Sequence, residues 1–316
     1  MRVRVVSGIL ALAALLVASN VSSQEAPPPA PAPVIRRVAP PPSEKIEIPP
    51  EGTTVPLTLR DNRPVVEVRI NGEGPFPFVL DTGAMATVIS DDLATRLALP
   101  AMGEVQVGSP AGGKPVPARM IRLDRLSVGD AVIHGAMAVA MDLSPVLRGP
   151  GAPAGVLSAR IFEGSLLTLD YPAGAVNIRH GALPESDGAT ILQYEPSDPL
   201  PTIPISVAGV EVRAHLDTGS ARGLMLPASY ADRLPLASKP AEAAKARLVD
   251  GEMTVLGSTL KGDLRIGKFT FKDPEVQFGD RAPVANVGSA ILGRFAVTLD
   301  SKNRRIRLEE PAGRPE

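Results

Sequence analysis

Two aspartates stand in the same short motif at distant points of the chain. Asp81 ends an apolar approach in FVLDTGA, and Asp217 ends a similar approach in AHLDTGS. An ionised carboxylate is costly to bury unless it is paired. Two carboxylates about 3 Å apart share one proton, so that the ionised member can act as a general base on water while the protonated member polarises a carbonyl group. The sequence therefore predicts that Asp81 and Asp217 form a pair that performs acid–base chemistry.

Each aspartate is followed by a threonine and a glycine, which are Thr82, Gly83, Thr218 and Gly219. The threonine hydroxyls can lock the two turns to each other. The glycines let the backbone turn sharply and bring N–H groups close to the carboxylates. These neighbours are therefore predicted to support the pair of acids.

The two motifs differ at the position after the glycine. Ser220 can donate a hydrogen bond to Asp217, whereas Ala84 cannot do so for Asp81, and we expect the two acids to differ. Arg222 lies just beyond the second motif, where a cation could lower the ionisation range of the pair or point to solvent. Because arginine is rarely buried unpaired, solvent is favoured.

The elements that must bring these motifs together form an internal repeat. Segments 65–99 and 203–236 each predict an alternating strand, a glycine turn, a second strand, the DTG motif and a short helix. The pairs of segments that follow are LSVG at 126–129 with LRIG at 264–267, AGVLSARIF at 154–162 with SAILGRFAV at 289–297, and two predicted hairpins at 167–178 and 297–308. From Asp81 to Asp217 is 136 positions, and from Ser158 to Gly293 is 135. Matches in one order at nearly one offset indicate duplication.

The repeat predicts a mainly β protein with two homologous lobes related by a pseudo-twofold axis. The first lobe is placed at residues 51–190 and the second at 191–312, with one short helix in each, at 91–97 and 227–234. Such an axis would bring the two aspartates together.

The sequence resembles the retropepsin-like aspartic protease superfamily, specifically its bacterial exported, single-chain members with two β-barrel lobes. The motifs that carry the resemblance are VLDTGA at 79–84, HLDTGS at 215–220 and an apolar-apolar-glycine signature, Ile291-Leu292-Gly293. The resemblance implies an aspartic endopeptidase that hydrolyses peptide bonds of a peptide or unfolded protein, with no cofactor and no metal. In the first lobe Ser158 stands where glycine is expected, and its side chain could alter the packing beneath the first DTG loop.

Two further hairpins lie where this superfamily carries the flap that closes over substrate. Segment 105–118 turns at Gly112 and Gly113, and segment 247–255 turns at Asp250 and Gly251. One candidate flap in each lobe resembles the retroviral dimer more than pepsin. Both could equally be ordinary surface hairpins.

A fold does not by itself establish a function. The alternative is a non-catalytic peptide-binding or interaction module built on the same two lobes. A weaker possibility is that each lobe pairs with a lobe of another chain, but we expect a monomer. The three histidines, His134, His180 and His215, are widely separated, which argues against a metal site or a serine–histidine triad.

The N-terminal residues predict export. Arg2 and Arg4 precede an apolar run at 5–18 and small residues up to residue 23, which is the pattern of a signal peptide over residues 1–23. The apolar run is shorter than the roughly 20 residues of a spanning helix, so we expect a periplasmic or secreted protein without stable membrane insertion. An uncleaved anchor is the alternative.

Composition narrows the remaining possibilities. Residues 24–50 are rich in proline and predict an extended linker without a core. The chain of 316 residues has a formal net charge of -1 and no long run of Lys or Arg, so it lacks the electrostatic footprint of a nucleic-acid partner. It contains 0 cysteines, which excludes disulfides and thiol catalysis.

Overall fold

A computed structural model describes residues 45–108, 113–195 and 198–311, which belong to one compact unit. The predicted signal peptide and most of the predicted linker lie outside these residues. Within them, no helix has both the length and the apolar character needed to cross a membrane.

The described residues are mainly β, as predicted. The strands of the first lobe are β1 (Lys45–Glu47), β2 (Thr53–Pro56), β3 (Thr58–Arg60), β4 (Arg63–Ile70), β5 (Glu73–Asp81), β6 (Thr87–Ser90), β7 (Ala101–Val107), β8 (Val116–Val128), β9 (Ala131–Met141), β10 (Gly155–Ser158), β11 (Leu166–Asp170) and β12 (Ala175–Arg179). Those of the second lobe are β13 (Ile191–Gln193), β14 (Thr202–Val207), β15 (Val210–Asp217), β16 (Leu224–Pro227), β17 (Ala241–Leu248), β18 (Gly251–Thr259), β19 (Asp263–Ile266), β20 (Phe269–Lys272), β21 (Glu275–Gly279), β22 (Ala285–Gly288), β23 (Ala296–Asp300) and β24 (Arg305–Glu309).

Each lobe is built on a nine-stranded sheet, and the two sheets have the same central order. In the first sheet β6, β10, β5 and β4 are neighbours, and in the second β16, β22, β15 and β14 are neighbours. In both, the strand that ends in aspartate pairs in parallel with the later strand β10 or β22. The prediction of two homologous β lobes is confirmed.

A third sheet joins the lobes and is also symmetric. Its order is β13, β24, β23, β11, β12, β2, so each lobe supplies three strands. At its centre β11 and β23 run antiparallel with Thr168 opposite Thr298, and the two hydroxyls are 2.9 Å apart. The hairpins predicted at 167–178 and 297–308 are β11–β12 and β23–β24. Since buried side chains of both lobes also form one continuous apolar cluster, the lobes share a core.

The first predicted helix is confirmed and the second is wrong. Helix α1 (Asp91–Arg96) begins at Ser90, whose hydroxyl accepts a hydrogen bond from the N–H of Leu93 at 3.3 Å. In the second lobe a 3-10 turn covers only Ala228–Tyr230 and has no side-chain cap. The residue before a proline avoids the helical conformation, and Pro235 therefore opposes a helix that reaches residue 234. A 3-10 turn at Ala159–Phe162 and the helix α2 (Ser289–Leu292) follow β10 and β22.

The last residues of the predicted linker belong to the first lobe. Strand β1 pairs with β9, and Ile48 is buried in the shared core. The prediction of a coreless linker up to residue 50 is therefore wrong at its end. In KIEI the apolar Ile46 and Ile48 alternate with charged residues, which is a strand pattern. The surrounding prolines obscured it.

Candidate active site

The ends of β5 and β15 bring Asp81 and Asp217 together between the lobes. The two carboxyl groups lie side by side, because each packs against the glycine of the opposite loop. Each glycine faces the acid of the opposite loop. A Cβ on Gly83 would lie 2.7 Å from Cγ of Asp217, and a Cβ on Gly219 would lie 2.7 Å from Oδ1 of Asp81. Each acid therefore packs against the backbone of the opposite loop, where only glycine leaves room.

The two threonines join the loops beneath the acids. The hydroxyl of Thr82 donates to the carbonyl of Leu216 at 2.5 Å and accepts from the N–H of Thr218 at 3.0 Å. In the reverse direction, the hydroxyl of Thr218 donates to the carbonyl of Leu80 at 2.7 Å and accepts from the N–H of Thr82 at 3.0 Å. Both side chains are buried. We call these four hydrogen bonds the threonine lock.

A buried tyrosine of the first lobe supports the second loop. Ser289 donates from its hydroxyl to the carbonyl of Thr218 at 2.8 Å, and the hydroxyl of Tyr171 lies 3.0 Å from that of Ser289. Burial raises the pKa of Tyr171, so its hydroxyl stays protonated. The second loop is therefore supported from both lobes.

Backbone N–H groups bind each acid from its own loop. Gly83 donates to Oδ1 of Asp81 at 2.7 Å, and Ser220 donates to Oδ1 of Asp217 at 3.1 Å. The predicted donor of Ser220 was its hydroxyl, but that hydroxyl accepts from the N–H of Arg222 at 3.5 Å. Ala84 also binds Asp81 through its backbone, so the difference predicted from Ala84 and Ser220 is not made by their side chains.

The difference between the acids comes instead from Asn286, which the sequence analysis missed. Its side-chain N–H group donates to Oδ2 of Asp217 at 2.5 Å. In the parallel pairing of β15 with β22, Asn286 lies opposite His215, and the equivalent pairing in the first lobe places Val156 opposite Val79. Valine cannot donate a hydrogen bond. Asp81 therefore has no counterpart of this bond.

The surroundings of Asp81 favour its protonated form. Burial is the main cause that raises the pKa of Asp81 to about 8. The neighbouring carboxylate of Asp217 acts in the same direction, and the N–H groups of Gly83 and Ala84 act against it. Near neutral pH Asp81 therefore keeps its proton.

The prediction that Ser158 and Gly293 are equivalent in the two lobes is wrong. Ser158 lies opposite Asp81, and the residue opposite Asp217 is Gly288 rather than Gly293. Gly293 instead ends helix α2. In the second lobe the apolar-apolar-glycine pattern ends at Gly293, five residues after the true equivalent of Ser158. The later hairpins repeat at an offset of 130 residues. The same offset from Ser158 and Val156 identifies Gly288 and Asn286.

Ser158 is accommodated beneath the first loop because its hydroxyl donates to the carbonyl of Ala84 at 2.6 Å. The predicted effect on packing is therefore a specific hydrogen bond. At Gly288 a Cβ would lie 2.7 Å from the carbonyl oxygen of Ser220, so the second loop sits closer to its supporting strand.

A family model described as aspartyl protease matches residues 66–160 and 203–294, which is more than half of the chain. The chain belongs to the aspartyl protease family. Each matched segment contains one of the two DTG motifs and the strand that supports it. No curated protein matches the sequence.

Both candidate flaps of this aspartyl protease are hairpins, β7–β8 and β17–β18. Gly112 lies outside the described residues. In the second hairpin the two-residue turn is Val249-Asp250, and Gly251 already pairs with Leu248, so the predicted turn was one residue too late.

The hairpin of the first lobe contacts the hairpin of the second lobe. A Cβ on Gly113 would lie 2.6 Å from Cγ of Asp250, whose buried carboxylate pairs with Arg281 at 3.2 Å. Val249 packs in an apolar cluster with Val105 and other side chains of the first lobe. The hairpins therefore meet in this conformation.

Arg222 does not follow either expectation for it. The residue is half-buried, and its guanidinium donates to Oε1 of Gln277 at 2.8 Å. Burial is the main cause that lowers the pKa of Arg222, and the neighbouring charge of Arg63 contributes to the same direction. It therefore lies against β21 rather than in open solvent.

The histidines have separate partners. His215 pairs with Asp198 at 3.1 Å, His134 with Glu47 at 3.2 Å, and His180 bonds to the carbonyl of Ile48 at 3.1 Å. In the described parts of the chain, no three His, Cys, Asp or Glu side chains are grouped as they would be around a metal ion.

Proposed function

We propose that the chain is an aspartic endopeptidase whose catalytic residues are Asp81 and Asp217. The observation that carries this proposal is the contact between their carboxyl groups in a site built symmetrically from both lobes. The threonine lock holds both loops in place, and membership of the aspartyl protease family agrees with this chemistry. The substrate class that suits such a site is a peptide or an unfolded protein.

In the proposed reaction the two acids have different tasks. Asp217 accepts hydrogen bonds from Asn286 and from the backbone of Ser220, which favours its ionised form, and it removes a proton from the attacking water. Asp81 carries the shared proton and donates it to the oxygen of the scissile carbonyl group. As the C–N bond of the tetrahedral intermediate breaks, the proton held by Asp217 passes to the leaving amine, and one hydroxyl of the intermediate returns its proton to Asp81 as the carbonyl group forms again.

Two further parts of the proposal rest on the N-terminal pattern and on the presence of both acids in one chain. The exported chain acts in the periplasm or outside the cell, and it acts as a monomer because one chain supplies both acids. Cell fractionation and the mass of the active species in solution test these parts. Activity confined to a dimer would contradict the second.

The test is cleavage of a fluorescently labelled unfolded protein by the mature chain between about pH 4 and pH 9. Asp81→Asn and Asp217→Asn are each expected to abolish cleavage, whereas the matched change Asp263→Asn, at the half-buried first residue of β19, leaves it intact. Circular dichroism shows whether each variant is folded. A folded parent chain that produces no fragments at any pH, yet binds peptides, would support the alternative of a non-catalytic binding module.

A further inference from the structure

Two arginines flank the second DTG loop. The Nε–H of Arg63, at the start of β4 in the first lobe, donates to the carbonyl of Gly219 at 2.8 Å. Arg222 follows the same loop and donates from Nη1 to Gln277. Arg63 therefore binds this loop three residues before Arg222, and after burial its charge is the second cause that lowers the pKa of Arg222. The loop therefore carries a pair of like charges, which we call the arginine pair.

The arginine pair has no internal counter-ion. Among the residues that the structure describes, the arginines that form ion pairs do not include Arg63 or Arg222. Neither of these two side chains has a carboxylate oxygen within 4.0 Å. Within the described ranges, the hydrogen bonds of the two side chains go to neutral oxygens, at Gly219 and Gln277. Two half-buried like charges without a counter-ion repel each other. A bound carboxylate would relieve this repulsion.

The arginine pair also lies next to the acids. Gly219, which binds Arg63, is the residue whose Cα faces the carboxylate of Asp81. Asn62, which precedes Arg63, also binds the chain next to this loop, because its side-chain N–H group donates to the carbonyl of Ala221 at 2.8 Å. An extended peptide advances about 3.3 Å per residue. A peptide bound at Asp81 and Asp217 therefore brings a residue close to the scissile bond within reach of the arginine pair.

We propose that Arg63 and Arg222 form a subsite for an acidic side chain of the peptide substrate. This inference rests on the proposed function, because it places the peptide on the two aspartates. A carboxylate accepts two hydrogen bonds from a guanidinium in a fixed geometry, and a second guanidinium nearby adds to the attraction. A glutamine side chain of the same shape has one oxygen and no charge, so the arginine pair would bind it much less tightly.

The experiment measures peptide binding, so that it does not depend on cleavage. The Asp81→Asn chain is immobilised and exposed to a peptide library in which Glu, Gln or Lys is fixed at each position in turn. At one position Glu is expected to bind about tenfold more tightly than Gln, because a charge-assisted hydrogen bond is worth more than a neutral one. Adding Arg222→Gln should bring this ratio close to one. Adding Arg265→Gln, which removes an exposed arginine on β19, should leave the ratio unchanged.

A charge reversal provides the second arm. With Arg222→Glu, the new carboxylate can pair with Arg63, so the preference for Glu over Gln should disappear at that position. Equal binding of Glu and Gln at every position, or the same preference for Glu after Arg222→Gln, would overturn the subsite. The proposed function fails separately, if the parent chain leaves the selected peptides uncut.

Discussion

The side-chain amide of Asn286 donates to Oδ2 of Asp217 at 2.5 Å, while its carbonyl oxygen is buried and has no partner among the described residues. A buried polar atom without a partner is costly, so the hydrogen bond to Asp217 must outweigh that cost. The first lobe has Val156 at the equivalent position. The site is therefore symmetric in its backbone and asymmetric in its hydrogen bonds to the two carboxyl groups.

The variant Asn286→Val makes the two lobes alike at this position. A hydrogen bond to a charged group is worth about 1.5 to 3 kcal/mol, so its loss should move the acidic limb of the kcat/KM profile about one to two pH units upwards. The measurement is kcat/KM against pH, and the limb belongs to the pair of acids rather than to one of them. Asn177→Val, an asparagine that binds Thr54 away from the site, is the matched control. A uniform loss of activity at every pH would show that Asn286 is only structural.

Activity is expected to decline at alkaline pH. The mechanism needs a proton on Asp81, and burial raises the pKa of Asp81 to about 8. The protease should therefore remain active at neutral pH and lose activity as the pH rises through about 8. Initial rates on a labelled unfolded protein measure this, with circular dichroism at each pH as the control for unfolding. Activity that is already lost as the pH rises through about 5 would contradict the protonated state assigned to Asp81.

Asp81→Asn should stabilise the folded protein at neutral pH. The folded state keeps a proton on Asp81 that the unfolded state releases above the ordinary pKa of 3.8, so the free energy of unfolding falls as the pH rises from there to about 8. Asparagine removes this dependence. We expect the variant to gain about 1 to 3 kcal/mol at neutral pH and much less near pH 4. Urea unfolding at the two pH values measures the difference, and an equal change at both would contradict the raised pKa.

The threonine lock is tested by two substitutions of one residue. Thr218→Val keeps the shape of the side chain but leaves the carbonyl of Leu80 and the N–H of Thr82 without partners, so it should cost about 2 to 4 kcal/mol of unfolding free energy. Thr218→Ser retains the hydroxyl and should cost less than about 1 kcal/mol. Thermal and urea unfolding measure both. Equal destabilisation by the two variants would contradict the threonine lock, because only Thr218→Val removes the hydroxyl.

The sequence was sufficient to predict the parts of the fold that repeat. The two DTG motifs, the strands before them and the later hairpins were identified because alternation and turn residues are local signals. The approach of Asp81 to Asp217 was also predicted, since two equal lobes imply an axis. The hairpin turns and helix ends were less accurate, as the turn at Val249-Asp250 shows.

What could not be predicted depends on register between distant strands. Asn286 reaches Asp217 only because β22 pairs with β15 in one register, and nothing local in ANVG indicates it. The two expectations for Arg222 did not include Gln277, because that residue belongs to a strand 55 positions away. The contact between the two hairpins likewise requires both lobes to be in place.

The sheet that joins the lobes has a consequence for synthesis at the ribosome. Strand β11 is complete well before β23 emerges, and until then one edge of β11 has unpaired backbone groups. Because β23 has nearly the same sequence pattern and pairs around Thr168 and Thr298, the open edge of one nascent chain is complementary to the same edge of another. The newly made first half can therefore associate with its own copy, and rapid arrival of β23 protects the chain from aggregation.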